Sequence, residues 1–91
     1  MNKKELIETI AERAEFTKKD TEAFLQAFVD VIEDAVAEGK KVQMIGFGSF
    51  EPRERAEREG RNPKTGEVIK IPASTVPVFK AGKEFKEKVN R

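Results

Sequence analysis

Four arginines, Arg53, Arg55, Arg58 and Arg61, share one polar stretch, with Lys64 and Lys70 following closely. Their chemistry is anion binding. The planar guanidinium fork donates two hydrogen bonds at once and matches a phosphate. The stretch runs EPRERAEREGRNPKTGE from Glu51 to Glu67; ten of its seventeen residues are charged and only Ala56 is aliphatic. Such a run cannot build a core, so it is either disordered or works outside the globule. Near its end stands Pro63, rigid, apolar and without a donor. In a turn a proline fixes φ. At an exposed tip it has a second use, as a wedge between base pairs, at an unstacking cost of about a few kcal/mol per step.

Other chemistries lack their residues. The chain has no Cys and no His, which excludes disulfides, thiol chemistry and the usual zinc ligands and removes the commonest general base. No metal or cofactor is expected, and no small-molecule substrate. Glu51, Glu54, Glu57 and Glu59 lie beside arginines that keep them ionised, so a hydrolase is the least supported reading. The opening MNKKELIETI has no signal-peptide apolar segment, because Glu5 and Glu8 interrupt it. No stretch has the length of a membrane span, and a cytoplasmic protein is expected.

Ninety-one residues suggest one domain with a modest core, a size at which oligomerisation is a common support. The net charge is only +1, but it is unevenly spread. Residues 1–40 carry six Lys/Arg against ten Asp/Glu; residues 41–91 carry twelve against seven. An acidic front and a basic back suit a face turned toward an anionic partner.

The elements that must position these residues follow from spacing. Leu6, Ile7, Ile10, Ala11 and Ala14 predict an amphipathic helix over 3–14, closed by Phe16. Thr17, with Asp20 three residues on, reads as the cap of a second helix. Its stripe pairs Ala23/Phe24, Ala27/Phe28, Val31/Ile32 and Ala35/Val36, and Gly39 stops it. Val42, Met44 and Ile45 suggest a short strand; Gly46 and Gly48 flank Phe47 in a tight turn into a second strand near Ser49-Phe50. The segment VIKIPASTVPVF is again strand-like, and Pro72 and Pro77 place it at an edge or on an unpaired ribbon. The tail, from Ala81 to Arg91, reads as a short helix with Phe85 and Val89 inward.

The order is therefore α-α-β-β-β-α, an α+β fold. Residues 1–39 form a helical hairpin and 41–79 a sheet with a long hairpin over about 53–76. Asn62-Pro63 and Thr65-Gly66 are turn dipeptides, so strand-like flanks make the polar run a hairpin tip near 60–66. Arg53, Arg55 and Arg61 share a face by strand alternation, and Arg58 has the opposite parity. For all four to face one partner, the limb must twist strongly or carry a bulge near Ala56-Glu57. A ribbon of this kind can lie along a DNA groove.

The run GFGSFEPRERAEREGRNPKTG, the opening MNKKELI and the closing IPAS…VPVFKAGKEFK resemble the bacterial histone-like HU family, to which integration host factor is related. The resemblance extends over the whole chain without gaps. It implies an intertwined homodimer with a three-stranded antiparallel sheet and two protruding arms that bend double-stranded DNA with little sequence preference. Minor-groove wedging is described for HU and integration host factor themselves, so it is the family's behaviour that is carried over. Pro63 would intercalate. Arg55, Arg58 and Arg61 would contact the minor groove and its phosphates, with Arg53 nearer the arm base, Asn62 and Lys64 beside the tip and Lys70 on the return limb. Lys80, Lys83 and Lys86, with Lys3, would grip phosphates from the body. Phe47, Phe50 and Phe79 would lie in the dimer core. The family's role is to compact and protect the chromosome in the bacterial nucleoid, and binding would favour nicked, gapped or bent duplex.

One departure stands out. Family arms commonly read RERAARKGRNPQTG; here Glu57 replaces Ala and Glu59 replaces Lys. Lost positive charge predicts weaker non-specific binding and a smaller salt slope. Alternatively, the two acids pair with Arg55 or Lys70 across the ribbon, at about 0.2–1 kcal/mol. Two other readings remain at this point: a sequence-preferring relative like integration host factor, and a module whose charged hairpin docks on a protein.

Overall fold

Asn2 starts the first helix, α1 (Lys3–Ala14), by accepting the Glu5 backbone N–H on its side chain at 2.9 Å. The computed structural model describes residues 1–90. The α1 stripe works as its spacing implies, with Ile7 and Ala11 buried. The helix ends at Glu15, in the left-handed region at φ 59°. There the Glu15 and Phe16 N–H groups both reach the Ala11 carbonyl. Thr17 then caps α2 (Lys18–Ala37): its hydroxyl accepts the Asp20 N–H at 3.1 Å. Buried Thr21 donates back to the Thr17 carbonyl at 2.9 Å.

The helix α2 stops at Gly39 for a conformational reason. With φ at +86°, Gly39 donates to the Val36 carbonyl at 2.9 Å, and Lys40 donates to Ala35 at 2.9 Å. These are the two bonds of a Schellman motif, and only a residue without Cβ adopts that φ without strain. The chain divides into two compact units, residues 1–34 and the part from Ala35 onward.

The second unit holds β1 (Val42–Met44), β2 (Gly48–Arg55), β3 (Arg58–Arg61), β4 (Val68–Ile71), β5 (Ser74–Ala81) and α3 (Lys83–Val89). Ile45, expected in the first strand, sits in the turn between β1 and β2, where the Phe47 N–H meets the Met44 carbonyl at 3.0 Å. The main sheet has the order β1-β2-β5, all antiparallel, and β3 and β4 form a separate two-stranded ribbon. The two long strands of the expected hairpin are thus each divided in two. The expected C-terminal helix covers Lys83–Val89 within its 81–91 segment; Arg91 lies outside the described residues.

Prolines dictate the sheet's edges. Pro52 pairs with Pro77, and neither can donate a ladder bond. That pair fits a step whose backbone groups point outward. On the β2 side β1 has already ended at the Val42↔Phe50 pair, and β5 is an edge strand. Farther out, Pro72 falls in the gap between β4 and β5, where the ladder breaks.

Apolar packing in this unit centres on phenylalanines. Phe79 lies 5.2 Å from Phe47, 4.9 Å from Phe50 and 6.2 Å from Phe85, ring centre to ring centre, and Phe47 stacks on Phe85 at 5.5 Å. The cluster fixes α3 on the sheet, helped by the Gly82 N–H donating to the Phe47 carbonyl at 2.8 Å.

Candidate nucleic-acid interface

The arm is the ribbon β3–β4 carried on the outer ends of β2 and β5. Its tip is built from turn chemistry. The Asn62 N–H donates to the Glu67 carbonyl at 2.9 Å, and the Gly66 N–H to the Asn62 carbonyl at 2.8 Å. The Asn62 side chain accepts the Lys64 N–H at 2.9 Å, an Asx turn. Asn62 is thus occupied in holding the turn, which leaves Pro63 and Lys64 exposed at its crest.

Arg53, Arg55, Arg58 and Arg61 are all exposed along the outgoing limb. Neither strand carries an extra residue to bring them onto one face. Arg55 pairs with Ser74 and Arg58 with Ile71, so two residues, Ala56 and Glu57, stand opposite two, Pro72 and Ala73. The bulge alternative is therefore excluded. The step is an unpaired gap with conserved register, and Arg58 keeps the parity opposite to its neighbours.

Lys70 does not stand alone on the return limb. Its ammonium lies 3.8 Å from the Glu57 carboxylate, and Glu59 is its direct cross-strand neighbour. Of the sequence-level alternatives for the two acids, pairing across the ribbon is the one Glu57 adopts.

The body offers a second group of cations. Lys80 on β5 lies 3.5 Å from Glu51, and Lys41, just before β1, lies 3.6 Å from the same carboxylate. Glu51 also accepts the Ser49 hydroxyl at 2.7 Å and is only 19% exposed. That hydrogen bond, with the two ammonium groups, holds the Glu51 carboxyl below its ordinary value against the opposing cost of burial. Lys41, Lys80 and Lys83 line one shallow depression of about 380 Å³ beside the β1–β2 turn. Lys41 was missed by sequence reasoning. Its signal was its position directly before β1, which the β1–β2 pairing brings beside Glu51. Lys86 stands exposed on α3. Lys3, in the other unit, donates to the Gln26 side chain at 3.1 Å.

Phe47, Phe50, Phe79 and Phe85 form one cluster within the chain. Phe47, Phe79 and Phe85 nonetheless keep more than a third of their surface in solvent. Among the described residues no group of acids is arranged to hold a metal ion, and no helix is long and apolar enough to cross a membrane.

Comparison with known proteins extends this geometry. The family model described as bacterial DNA-binding protein matches residues 1–90. A curated relative, the DNA-binding protein HU of Clostridium pasteurianum, is 64% identical over 91 residues, 100% of each chain. Its namesake from a Nostoc strain is 57% identical, covering 98% of this chain and 95% of its own. Among solved structures, an Anabaena HU–DNA cocrystal structure superposes with a TM-score of 0.93 at 57% identity, covering 98% of this chain and 97% of that one. HU from Thermotoga maritima superposes at 0.70 with 40% identity over 98% of both chains.

Proposed function

This chain belongs to the bacterial DNA-binding protein family, and from that membership we propose that it is a histone-like architectural protein that binds double-stranded DNA as a homodimer. It binds the minor groove with little sequence preference, bends and wraps the duplex, and helps to compact and protect the chromosome. It is not an enzyme. Its place is the cytoplasm, on the nucleoid, and residues 1–91 act as a single domain.

The observation that carries this reading is the match to the Anabaena HU–DNA cocrystal structure, which covers 98% of this chain and so includes the arm. The arm has the parts the task needs. Exposed Pro63 is the wedge, held forward by an Asx turn. Arg55, Arg58 and Arg61 take the groove and its phosphates, Arg53 the phosphates near the arm base, and Lys64 and Lys70 the flanks, with Asn62 holding the tip. Lys80, Lys83, Lys86 and Lys3 neutralise phosphates from the body. Phe47, Phe50 and Phe79 meet the partner subunit.

Because the dimer selects deformable DNA rather than base edges, a nicked duplex should bind at least about tenfold tighter than an intact one, a step of roughly 1.4 kcal/mol. A gel-shift titration of both duplexes at two salt concentrations tests this. Equal affinities at moderate salt would count against the reading, as would binding unaffected by removal of Arg58 and Arg61.

A further inference from the structure

One face of the main sheet sets a single acid among cations. On β2, Ser49, Glu51, Arg53 and Arg55 alternate onto the same side. Their partners on β5 are Lys80, Val78, Val76 and Ser74, and directly opposed residues share a face. On the other flank Gln43 pairs with Ser49, and the same register continued by one step sets Lys41 opposite Glu51. The second acid of these strands, Glu54, falls on the reverse side with Phe50 and Phe79. Glu51 therefore shares its face with Lys41, Arg53, Arg55 and Lys80 and with no other carboxylate of the three strands.

The acid is fixed in place and the cations above it are not. Buried Ser49 directs its hydroxyl at the Glu51 carboxylate at 2.7 Å, a full-strength bond between two oxygens. The ammonium groups stand farther off, Lys80 at 3.5 Å and Lys41 at 3.6 Å, beyond the roughly 2.7–2.9 Å of a direct charged hydrogen bond. The carboxylate is 19% exposed, whereas both lysine side chains are more than half exposed. Each lysine thus leans over Glu51 with its outer side in solvent. Lys83 on α3 lines the same depression, and the Glu84 carboxylate lies over Gly46 in the β1–β2 turn.

We infer that Glu51 is an internal stand-in for phosphate, holding the Lys41 and Lys80 ammonium groups in the free protein and yielding them to the DNA backbone on binding. The inference rests on the DNA-binding reading above. It adds Lys41 to the phosphate contacts and a positioning residue that works against binding, through the two lysines rather than by touching DNA. A carboxylate and a phosphodiester offer an ammonium the same ligand, an anionic oxygen. Exchanging one for the other keeps each lysine paired, so these two cations add less to affinity than unpaired ones. Two cations beside one fixed anion also present a weaker field to an approaching backbone.

The exchange leaves a trace on the acid. In the free protein the Ser49 hydroxyl, and then Lys41 and Lys80, hold the Glu51 carboxyl below its ordinary value against the cost of burial. In the complex the ammonium groups turn outward and phosphates stand nearby. Both changes disfavour the ionised form. Glu51 is then easier to protonate with DNA than without, and binding takes up a proton in the interval between the two values. Affinity rises in that interval as pH falls.

The test uses the full chain and a nicked duplex, titrated across salt. Glu51→Gln keeps a hydrogen-bond partner for Ser49 and removes the competing charge. Its affinity should rise about tenfold at low salt, and its slope of log K on log salt should steepen by roughly 0.9 per protomer, the share of one further neutralised phosphate. Lys41→Gln should bind more weakly with a shallower slope. An acid that only braces the sheet gives unchanged or weaker binding in Glu51→Gln, and that result would overturn the inference. So would wild-type affinity in Lys41→Gln. Independently of any variant, NMR of the Glu51 carboxyl carbon should show it titrating at higher pH in the complex than in the free protein; an equal or lower value would also overturn it. Failure of the wild-type protein to bind the nicked duplex would instead sink the DNA-binding reading itself.

Discussion

At the scale of single residues, Pro63 at the arm tip and Glu51 on β2 each carry a prediction. Pro63 crests a turn whose hydrogen bonds belong to its neighbours: the Lys64 N–H donates to the Asn62 side chain, the Gly66 N–H to the Asn62 carbonyl and the Asn62 N–H to the Glu67 carbonyl. Replacing it with alanine should leave the turn standing and remove only the rigid apolar ring proposed to act as the wedge. In Pro63→Ala the bend, read by energy transfer between duplex ends, should fall sharply, and affinity for nicked DNA should fall about tenfold. An undiminished bend would show that Pro63 only shapes the turn. The Glu51 carboxyl is drawn below its ordinary value of 4.5, first by the Ser49 hydroxyl and then by Lys41 and Lys80. A lowered folded-state value means that the ionised form favours the fold. Its contribution is whole above the ordinary value and is lost as pH falls through the depressed one. Melting temperature should therefore drop more steeply in wild type than in Glu51→Gln as pH falls below about 4.5. Parallel curves would show that Glu51 gains nothing from its neighbours.

At the scale of elements, the helices were legible and the arm was only partly so. The stripe over 3–14, the Thr17 cap and the Gly39 stop are local signals, each set by residues within a turn of one another. All three reappear as hydrogen bonds or dihedral angles. The Thr17 cap supports a direct prediction: Thr17→Ala should lose about 1 kcal/mol in urea unfolding, the usual worth of such a cap. A loss under about 0.3 kcal/mol would mean that the Asp20 N–H finds water instead. The hairpin tip was equally readable, because Asn-Pro and Thr-Gly carry turn chemistry in their own side chains. What could not be read was how Arg58 relates to the other arginines. That depends on whether each limb skips one residue or two, and pairing between residues such as Arg55 and Ser74 is non-local. Pro72 hinted at the break but did not fix it, since Pro52 and Pro77 lie within the paired β2–β5 ladder while Pro72 falls in the gap between β4 and β5. Lys41 stayed invisible for the same reason: its partner Glu51 is ten residues away and is brought near only by the β1–β2 register.

For the whole molecule the decisive quantity is apolar surface. Among the described residues, Ile7 and Ala11 are the only buried apolar side chains, and no large side chain is fully buried. Phe24 is 71% exposed and Val31 65% exposed on α2, and Ile45 is 97% exposed beside the phenylalanine cluster's strand. A single chain in this state forgoes most of the burial that must offset its conformational entropy. A second copy that covers these faces would supply what is missing, which predicts that folding and association are one event. Such a protein has no fixed melting temperature: the midpoint rises with concentration because the product of folding is a dimer. Raising protein concentration a hundredfold should raise the midpoint by several degrees, and Phe79→Ala should lose roughly 3–5 kcal/mol, enough to leave monomer at micromolar concentration. Calorimetry over that range, with sedimentation of the variant, reads both. A midpoint independent of concentration would mean that the chain folds alone despite its exposed faces, and the two arms would then have no common base from which to grip one duplex.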